Sequence, residues 1–424
     1  MRELEQRYPN QLAVVGVHSG KYIAERVTSR IRDASIRLGA IHPVVNDRQF
    51  RLWRAYAVRA WPTLVAVDPR GAVVGMRAGE FTADALAPFF DRLIDDARRA
   101  GTLDAGSAVH FPADAPSAAP STLCFPGKIA LDDRRIAIAD SGNHRVLVGM
   151  LDDSGTRLRV DRRIGAAGGG YRDGADPAFV SPQGLAFRGD LLYVADAGSH
   201  TVRELTLSTG VTRTIAGIGR QLRTAVDEAR GALSSPWDLA LAGDTLYVAM
   251  AGIHQLWTIA LPSGGAEVSS GSGAEELHDG PHAEAALAQP MGLCAADDLL
   301  YVADAESSAV RVADRDPAGG VRTVVGTGLF DFGDVDGEGD AVRLQHLQGI
   351  AQSSDGRLLV CDSYNDALKW VDPASRRVER WVGDLHEPAG LAIGERAVYV
   401  ADTNAHRIAV IDRTSRAVRT LLIE

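Results

Sequence analysis

Cysteine is scarce in this sequence: its 424 residues include three, Cys124, Cys294 and Cys361. No two of them have the Cys-x-x-Cys spacing that a zinc knuckle or a local redox pair needs. Each lies in or just after an apolar run, where a free cysteine usually packs as a small hydrophobic side chain. The sequence as given therefore predicts no catalytic residue, no metal site and no cofactor.

Long apolar runs are also absent. No segment approaches the roughly 18 consecutive apolar residues of a membrane-spanning helix. The first ten residues, MRELEQRYPN, lack the apolar core of a signal peptide. We therefore predict a monomeric protein of the cytoplasm with no membrane partner.

Lysine is almost missing, since Lys21, Lys128 and Lys369 are the only copies, and arginine supplies most of the positive charge. Residues 1–100 contain 16 Lys and Arg against 11 Asp and Glu, whereas the remainder contains 29 against 44. The net charge of −10 is thus concentrated after residue 100. Because affinity for nucleic acid comes largely from cations on the protein, this acidic part argues against a nucleic-acid partner.

The first 101 residues alternate short apolar segments with segments of helical periodicity. LAVVGV, at 12–17, predicts a buried strand, AERVTSRIRDASIRLG predicts a helix ending at Gly39, and HPVVND predicts a second strand. A short helical segment follows, then two strands around the turn DPRG, then a helix with Thr82 as its N-cap. The predicted order is strand, helix, strand, helix, strand, strand, helix.

Trp61, Pro62 and Thr63 stand immediately before the first strand of the predicted hairpin. In position and flanking segments they resemble the cis-proline segment of thioredoxin-like domains of the TlpA or alkyl-hydroperoxide-reductase type. The resemblance implies that this segment lies beside a Cys-x-x-Cys pair. A cis X-Pro bond costs only about 0.5–1 kcal/mol over trans, so a fold can hold it readily.

The same family places a strand and the Cys-x-x-Cys pair before the helix in which this sequence starts. Either a longer chain carries these cysteines upstream of Met1, or the domain is a redox-inactive remnant. Our hypothesis is the first, and translation of the upstream genomic sequence tests it. As written, the sequence lacks a strand that the fold keeps at the centre of its sheet. We expect this to leave residues 12–17 partly unpaired and an apolar sheet face uncovered.

Residues 102–123 are rich in Ala, Pro and Ser without periodicity, and they predict a linker. After it, six segments repeat one plan: a step such as Pro-x-Gly, a short apolar strand, a turn, a strand that usually ends in Ala-Asp, a polar turn and another strand. A fourth strand closes most units. Four short strands repeated radially describe the blade of a β-propeller, so the six units predict six blades.

The repeated motif, seen as ADSGNHRV, ADAGSHTV and ADTNAHRI, resembles the NHL repeat. The Gly-rich arms between units resemble a subset of NHL propellers that are fused to a thioredoxin-like domain. We expect the arms GAAGGGYRDG and DFGDVDGEGD to be flexible or solvated loops. The resemblance implies an α/β thioredoxin-like domain (N-terminally incomplete) over residues 1–101, a linker over 102–123 and an all-β six-bladed NHL-type β-propeller over 124–424.

Two residue types recur at fixed places in the motif. Aspartate ends the second strand of each unit except the third, which has Met250, and histidine follows four positions later in four units. We interpret both as turn and blade-edge residues. The alternative is that they line one mouth of the central channel, where carboxylates could hold a cation such as Ca²⁺. These candidates are Asp140, Asp196, Asp304, Asp362, Asp402, His144, His200, His254 and His406.

These observations predict a non-catalytic binding or scaffold protein. In this interpretation a propeller platform carries a redox-inactive thioredoxin-like module, and a protein or small ligand binds at the junction of the two. The alternative is a thiol-disulfide oxidoreductase or peroxide-handling redoxin whose Cys-x-x-Cys lies upstream. RNA binding, which some NHL propellers perform, is disfavoured by the acidic charge.

Overall fold

The computed structural model describes residues 1–103, 122–262 and 264–424. The chain divides into two compact units, Met1–Ala119 and Pro120–Glu424. The linker predicted over 102–123 lies almost entirely outside the described residues.

The first unit contains short helices and strands in the predicted order, after an initial helix. Among the helices described within residues 1–103, only the last exceeds ten residues. Its N-cap is Thr82, as predicted, and the Thr82 side chain accepts a hydrogen bond from the Ala85 amide. The elements are α1 (Arg2–Arg7), β1 (Gly16–His18), α2 (Thr28–Arg37), β2 (Val44–Asn46), α3 (Arg51–Ala55), β3 (Thr63–Val67), β4 (Val73–Ala78) and α4 (Ala83–Arg99).

The described strands of this unit form two separate two-stranded sheets. β1 pairs with β2 in parallel, and β3 pairs with β4 in antiparallel orientation. The prediction of a buried strand over residues 12–17 was wrong in both extent and burial. The strand spans only Gly16–His18, and the side chains of Val15 and Val17 are 50% and 46% exposed. Because β1 has one partner among the described strands, one of its edges is open, as expected for a segment that is partly unpaired.

The apolar core of the first unit lies between α1 and α4. Leu4 and Tyr8 pack against Leu86 and Phe90, and the Tyr8 hydroxyl donates a hydrogen bond of 2.6 Å to Asp91. Leu86 and Phe90 thus give α4 a buried apolar face.

The second unit is a six-bladed β-propeller, since its described residues form six sheets of four or five strands. Blade 1 contains β5 (Ile129–Asp132), β6 (Arg135–Asp140), β7 (Arg145–Leu151) and β8 (Arg157–Ile164). Blade 2 contains β9 (Pro182–Arg188), β10 (Leu191–Asp196), β11 (Thr201–Thr206) and β12 (Thr212–Ala216). Blade 3 contains β13 (Pro236–Ala242), β14 (Thr245–Met250), β15 (Gln255–Ala260) and β16 (Ala266–Ser270), and a short helix, α5 (Ala225–Ala229), precedes it.

Blades 4 and 5 each gain a two-residue strand from the arm that precedes them. Blade 4 contains β17 (Gly280–Pro281), β18 (Pro290–Ala296), β19 (Leu299–Asp304), β20 (Ala309–Asp314) and β21 (Gly320–Val325). Blade 5 contains β22 (Gly337–Glu338), β23 (Leu347–Gln352), β24 (Leu358–Asp362), β25 (Ala367–Asp372) and β26 (Arg377–Val382). Blade 6 contains β27 (Pro388–Ile393), β28 (Ala397–Asp402), β29 (Arg407–Asp412) and β30 (Val418–Thr420).

The ring closes through β31 (Leu422–Ile423), which pairs in parallel with β8 at the outer edge of blade 1. The core of the propeller is divided among the interfaces between blades, each of which has its own apolar cluster. The cluster between blades 6 and 1 includes Ile138, Leu158, Tyr399 and Ile408. Each blade is thus stabilised mainly by its two neighbours.

Candidate functional site

The repeated aspartates bind backbone amides within their own blades. Each is fully buried, and one carboxylate oxygen accepts a hydrogen bond from the segment before the first strand of that blade. The donors are the amides of Cys124 to Asp140 (2.7 Å), Val180 to Asp196 (2.7 Å), Ala288 to Asp304 (2.8 Å), Gln345 to Asp362 (2.7 Å) and His386 to Asp402 (2.5 Å). The aspartates are therefore turn residues in geometry, and they do not open into the channel.

In every blade that has the aspartate, the second carboxylate oxygen faces a cation. In blades 1 and 6 the cation follows five positions later, as Arg145 and Arg407, at 2.7 and 2.8 Å. In blades 2, 4 and 5 it follows seven positions later and is fully buried, as Arg203, Arg311 and Lys369. Each buried charge thus has an opposite charge beside it, as burial in a low-dielectric interior requires.

The three fully buried cations also hold the arms. Arg203 binds Asp173 at 2.6 Å, Arg311 binds Asp279 at 2.9 Å, and Lys369 binds Asp334 and Asp336 at 2.6 and 3.1 Å. The segments GAAGGGYRDG and DFGDVDGEGD, expected to be flexible or solvated loops, are mostly exposed, but they are also tied to the propeller at these points. Their aspartates anchor each arm to the blade behind it.

Blade 3 replaces both members of this ion pair. Met250 stands in the aspartate position and Trp257 in the position of the buried cation, and both side chains are buried in the apolar cluster of blades 2 and 3. The indole nitrogen of Trp257 donates a hydrogen bond of 3.0 Å to Gln255. One blade of this chain therefore shows that an apolar pair fits where the others hold charges.

The repeated histidines lie between blades. Each has a left-handed backbone, and its Nδ1 accepts a hydrogen bond from an amide of the next blade, as in the bond of 3.0 Å from Ser235 to His200. The other three pairs are Ser181 to His144 (3.0 Å), Gln289 to His254 (3.1 Å) and Phe125 to His406 (3.1 Å). We call these contacts the inter-blade hydrogen bonds.

Two members of this set were missed in the sequence because they are not histidines. The hydroxyl of Ser308 accepts a hydrogen bond of 3.1 Å from the His346 amide, and Asp366 accepts one of 3.0 Å from the Glu387 amide. Both residues stand four positions after the strand-end aspartate, as the histidines do. That spacing was the available signal, and it completes a set of six bonds, one at each interface.

The alternative of a cation site built from these residues gains no geometric support. The aspartates and histidines are distributed around the ring, and the described residues contain no group of three His, Cys, Asp or Glu side chains arranged to hold a metal ion. The sequence-predicted candidates act in pairs, within or between blades.

The central channel is crossed by a buried ion pair that the sequence did not reveal. Lys128 in blade 1 lies 3.4 Å from Asp238 in blade 3, and its ammonium also donates hydrogen bonds to the carbonyls of Met291 and Gln348. The Asp238 carboxylate accepts the Leu293 amide at 3.0 Å. This pair links blades 1, 3, 4 and 5 at the axis.

A polar cavity of about 320 Å³ lies between blades 5 and 6. It is lined by Asn365, Asp366, Arg380, Asp384, Leu385 and His386. Asn365 donates a hydrogen bond to Asp362, and Arg380 donates one to Asp334. These two contacts stay within blade 5 and its arm, whereas the bond from the Glu387 amide to Asp366 joins blade 6 to blade 5.

The three cysteines are free and lie in environments that disfavour the thiolate. Burial raises the pKa of Cys124 and of Cys294, and burial raises the pKa of Cys361 to about 12. Since the thiolate is the reactive form, the geometry supports the interpretation of these residues as small apolar side chains.

Cys361 is therefore expected to resist alkylation by iodoacetamide in the native protein at neutral pH and to react fully in urea. Mass spectrometry of the digested protein measures this. Rapid native labelling of Cys361 would contradict the assignment.

In the first unit, the segment Trp61, Pro62 and Thr63 lies at the end of β1 and the start of β3. The Trp61–Pro62 peptide bond is cis. The Trp61 indole donates a hydrogen bond of 2.8 Å to the carbonyl of Ser19, and the ring packs on Trp53 with centroids 4.4 Å apart. Trp61 nevertheless remains 49% exposed.

The Asp47 side chain holds the residues that contact Trp61 in place. Its carboxylate accepts hydrogen bonds from the amides of Arg51, Leu52 and Trp53 and from the Ser19 hydroxyl. Burial opposes ionisation of the carboxyl, but these four hydrogen bonds hold its pKa below the usual value. Asp47 thus fixes both residues that position Trp61.

Within residues 1–103, 122–262 and 264–424, no helix has the length and apolar character needed to cross a membrane. The cytoplasmic location stays a prediction.

Comparison with known proteins finds a repeat family that matches one segment and relatives that align with nearly the whole of this chain. The NHL repeat family matches residues 123–148. NHL repeat-containing protein 2 of Gallus gallus is 37% identical over 484 aligned positions, which cover 100% of this chain and 65% of that protein. The protein Suppressor of quenching 1, chloroplastic, of Arabidopsis thaliana is 36% identical over 455 positions, which cover 96% of this chain and 42% of that protein. The chain therefore spans less than two thirds of the length of either relative.

Among solved structures, a Bacteroides thetaiotaomicron protein of unknown function superposes with a TM-score of 0.50. The two are 15% identical, and the match covers 69% of this chain and 70% of the other. This likeness concerns the fold alone. The chain thus carries an NHL repeat, forms a six-bladed β-propeller and is similar over its whole length to NHL repeat-containing protein 2.

Proposed function

We propose that this protein is a non-catalytic binding or scaffold protein in which a thioredoxin-like, redox-inactive first unit receives an extended peptide segment. The propeller serves as its platform. The order of helices and strands in the first unit and the Trp61-Pro62-Thr63 segment support the thioredoxin-like interpretation. The observation that carries the proposal is the concentration of exposed apolar side chains on this unit.

That concentration is uneven between the two units. Of the 21 large hydrophobic side chains exposed in the described residues, 13 belong to residues 1–103. Several follow the strands: Val17 on β1, Val45 on β2 and Val67 and Val73 at the turn between β3 and β4 are 41–51% exposed. Val17 and Val45 are partners in register, as are Val67 and Val73, and neighbouring exposed apolar side chains are typical of interaction surfaces.

The main chain of this unit offers a second means of binding. β1 and β3 each have one partner among the described strands, so each has an edge of unpaired amides and carbonyls. The hydrogen bond from Trp61 to Ser19 joins the end of β1 to the start of β3. An extended segment can pair with such edges while its alternate side chains cover the valines, which is the strand-addition mode of peptide recognition.

The propeller has the properties of a platform. Its six blades are joined by six apolar clusters, by the inter-blade hydrogen bonds and by the Lys128–Asp238 pair. Its thiols lie in environments that disfavour the reactive thiolate form. The ligand site predicted at the junction of the units, and the monomeric state, stay predictions.

A selection of displayed random peptides on the full chain tests the proposal. We expect enrichment of peptides with apolar residues at alternate positions, because successive side chains of a strand point to opposite faces. Val17→Lys should weaken binding of the enriched peptides by about tenfold or more, since it places a charge on the apolar face. Val268→Lys is the matched control, because Val268 is 51% exposed on the outer strand of blade 3.

Equal binding by wild type and Val17→Lys would overturn the proposal, as would loss of binding in Val268→Lys alone. The alternative function, thiol-disulfide exchange, is tested separately by insulin reduction. Activity of this chain in that assay would contradict the assignment of its three cysteines as unreactive.

A further inference from the structure

The inter-blade hydrogen bonds fall into two chemical classes. At the interfaces between blades 4 and 5 and blades 5 and 6, the acceptor is an oxygen, of Ser308 and Asp366. At the other four interfaces it is the Nδ1 atom of a histidine. All six acceptor residues have the same left-handed backbone, with φ between 51° and 57°. The six positions therefore differ in side-chain chemistry and share one backbone geometry.

A histidine Nδ1 can accept an amide hydrogen only from the neutral ring with its proton on Nε2. Protonation adds a hydrogen to Nδ1, so that two N–H groups face each other across the interface. The inter-blade hydrogen bond is then lost, and the buried amide has no acceptor. A serine hydroxyl undergoes no such change.

We propose that the four histidines make their blade interfaces sensitive to acid, so that mild acidification loosens the propeller at these interfaces and leaves the interfaces of Ser308 and Asp366 closed.

The surroundings of two of the histidines disfavour the protonated ring in the closed interface. Burial, together with the nearby positive charge of Arg223, lowers the pKa of His200 to about 4. Burial also lowers the pKa of His144, against the charge of Asp140.

Other groups face the remaining rings and contacts. The Ser235 hydroxyl lies 3.5 Å from the His200 ring. Asp304 interacts electrostatically with His254, and the Phe125 ring packs on His406 with centroids 4.3 Å apart.

The direction of the pH effect follows from these shifts. The pKa of His200 is lower in the folded protein than the value of about 6.5 in an unfolded chain. Its contribution to stability is therefore complete above about pH 6.5 and is lost as the pH falls toward about 4. Burial raises the pKa of Asp196 and of Asp362 to about 6, so these two groups contribute with the opposite sign in the same range. The effect of the histidines can be separated from that of the aspartates by comparing an amide that donates to a histidine with an amide that donates to Asp366.

Hydrogen exchange on the full chain supplies that comparison. The protection of the Ser235 amide, which donates to His200, is measured at about pH 7.5 and about pH 5 and corrected for intrinsic exchange rates. We expect this protection to fall by about tenfold, because the open state gains a proton that the closed state excludes. The Glu387 amide, which donates to Asp366, should keep its protection and serves as the internal control.

His200→Asn is the matched variant. Asparagine tolerates the left-handed backbone, and its side-chain oxygen accepts an amide at any pH in this range. The Ser235 amide should then stay protected at both pH values. An unchanged Ser235 amide in the wild type, or an equal loss in His200→Asn, would overturn the proposal. If His200→Asn fails to fold, the wild-type contrast between Ser235 and Glu387 alone decides, and an equal loss at both amides refutes it.

Discussion

Arg203→Ala is expected to destabilise the propeller by about 3–5 kcal/mol, because it leaves a buried carboxylate without its cation. Both Arg203 and Asp196 are fully buried, 3.2 Å apart, and the guanidinium also binds Asp173 and the carbonyl of Ala178. The measurement is urea unfolding of the full chain at neutral pH, where Asp196, with its pKa of about 6, is ionised in the wild type.

Blade 3 supplies the control for this substitution. The double variant Asp196→Met with Arg203→Trp copies the pair Met250 and Trp257, which occupies the same two positions. It removes both charges together, and replacement of a buried ion pair by apolar residues is often neutral. We expect it to be more stable than Arg203→Ala. A double variant as unstable as the single one would show that the arm contact, and not the buried charge, dominates.

Lys128→Met is expected to have an effect of similar size, about 3–5 kcal/mol, since it leaves Asp238 buried and unpaired in the channel. It also removes the donor to the carbonyls of Met291 and Gln348. Burial already raises the pKa of Asp238. The variant should therefore lose further stability as the pH rises through the pKa of this carboxyl, and thermal unfolding at several pH values measures this.

In the other four blades, the position equivalent to Lys128 and Asp238 carries no charge. They have Gly184, Gly292, Gly349 and Gly390 at the positions equivalent to Lys128 and Asp238. The double variant Lys128→Gly with Asp238→Gly is expected to retain more stability than Lys128→Met, because no buried charge remains. Equal stability of Lys128→Met and the wild type would show that the pair contributes nothing to the ring.

The propeller could be predicted from sequence because its information is local and repeated. Each unit brings its own alternating strands, and all but the third bring a strand-end aspartate, so the number of blades follows from counting units. The contacts that could not be predicted are those between residues far apart in the chain. Lys128 and Asp238 replace glycines in two different blades, and only the closed ring places them opposite each other.

The arms and the first unit show two other limits. Asp173 and Asp334 stand in Gly-rich polar segments whose composition is that of a solvated loop, and their partners Arg203 and Lys369 lie 30 and 35 residues further on. In the first unit, the apolar run at 12–17 has the composition of a buried strand. Its short extent reflects its neighbours, since β1 pairs with β2 alone in the described part of this unit.

Because β31 pairs with β8, blade 1 cannot be completed until the last residues of the chain have been synthesised. Blade 1 is synthesised before the other five, yet its outer edge is completed by Leu422 and Ile423, more than 250 residues after β8. During translation, the nascent ring must stay open until these residues have left the ribosome. Its first blade meanwhile exposes an unpaired edge and an uncovered apolar face, which are the features that chaperones recognise in growing chains.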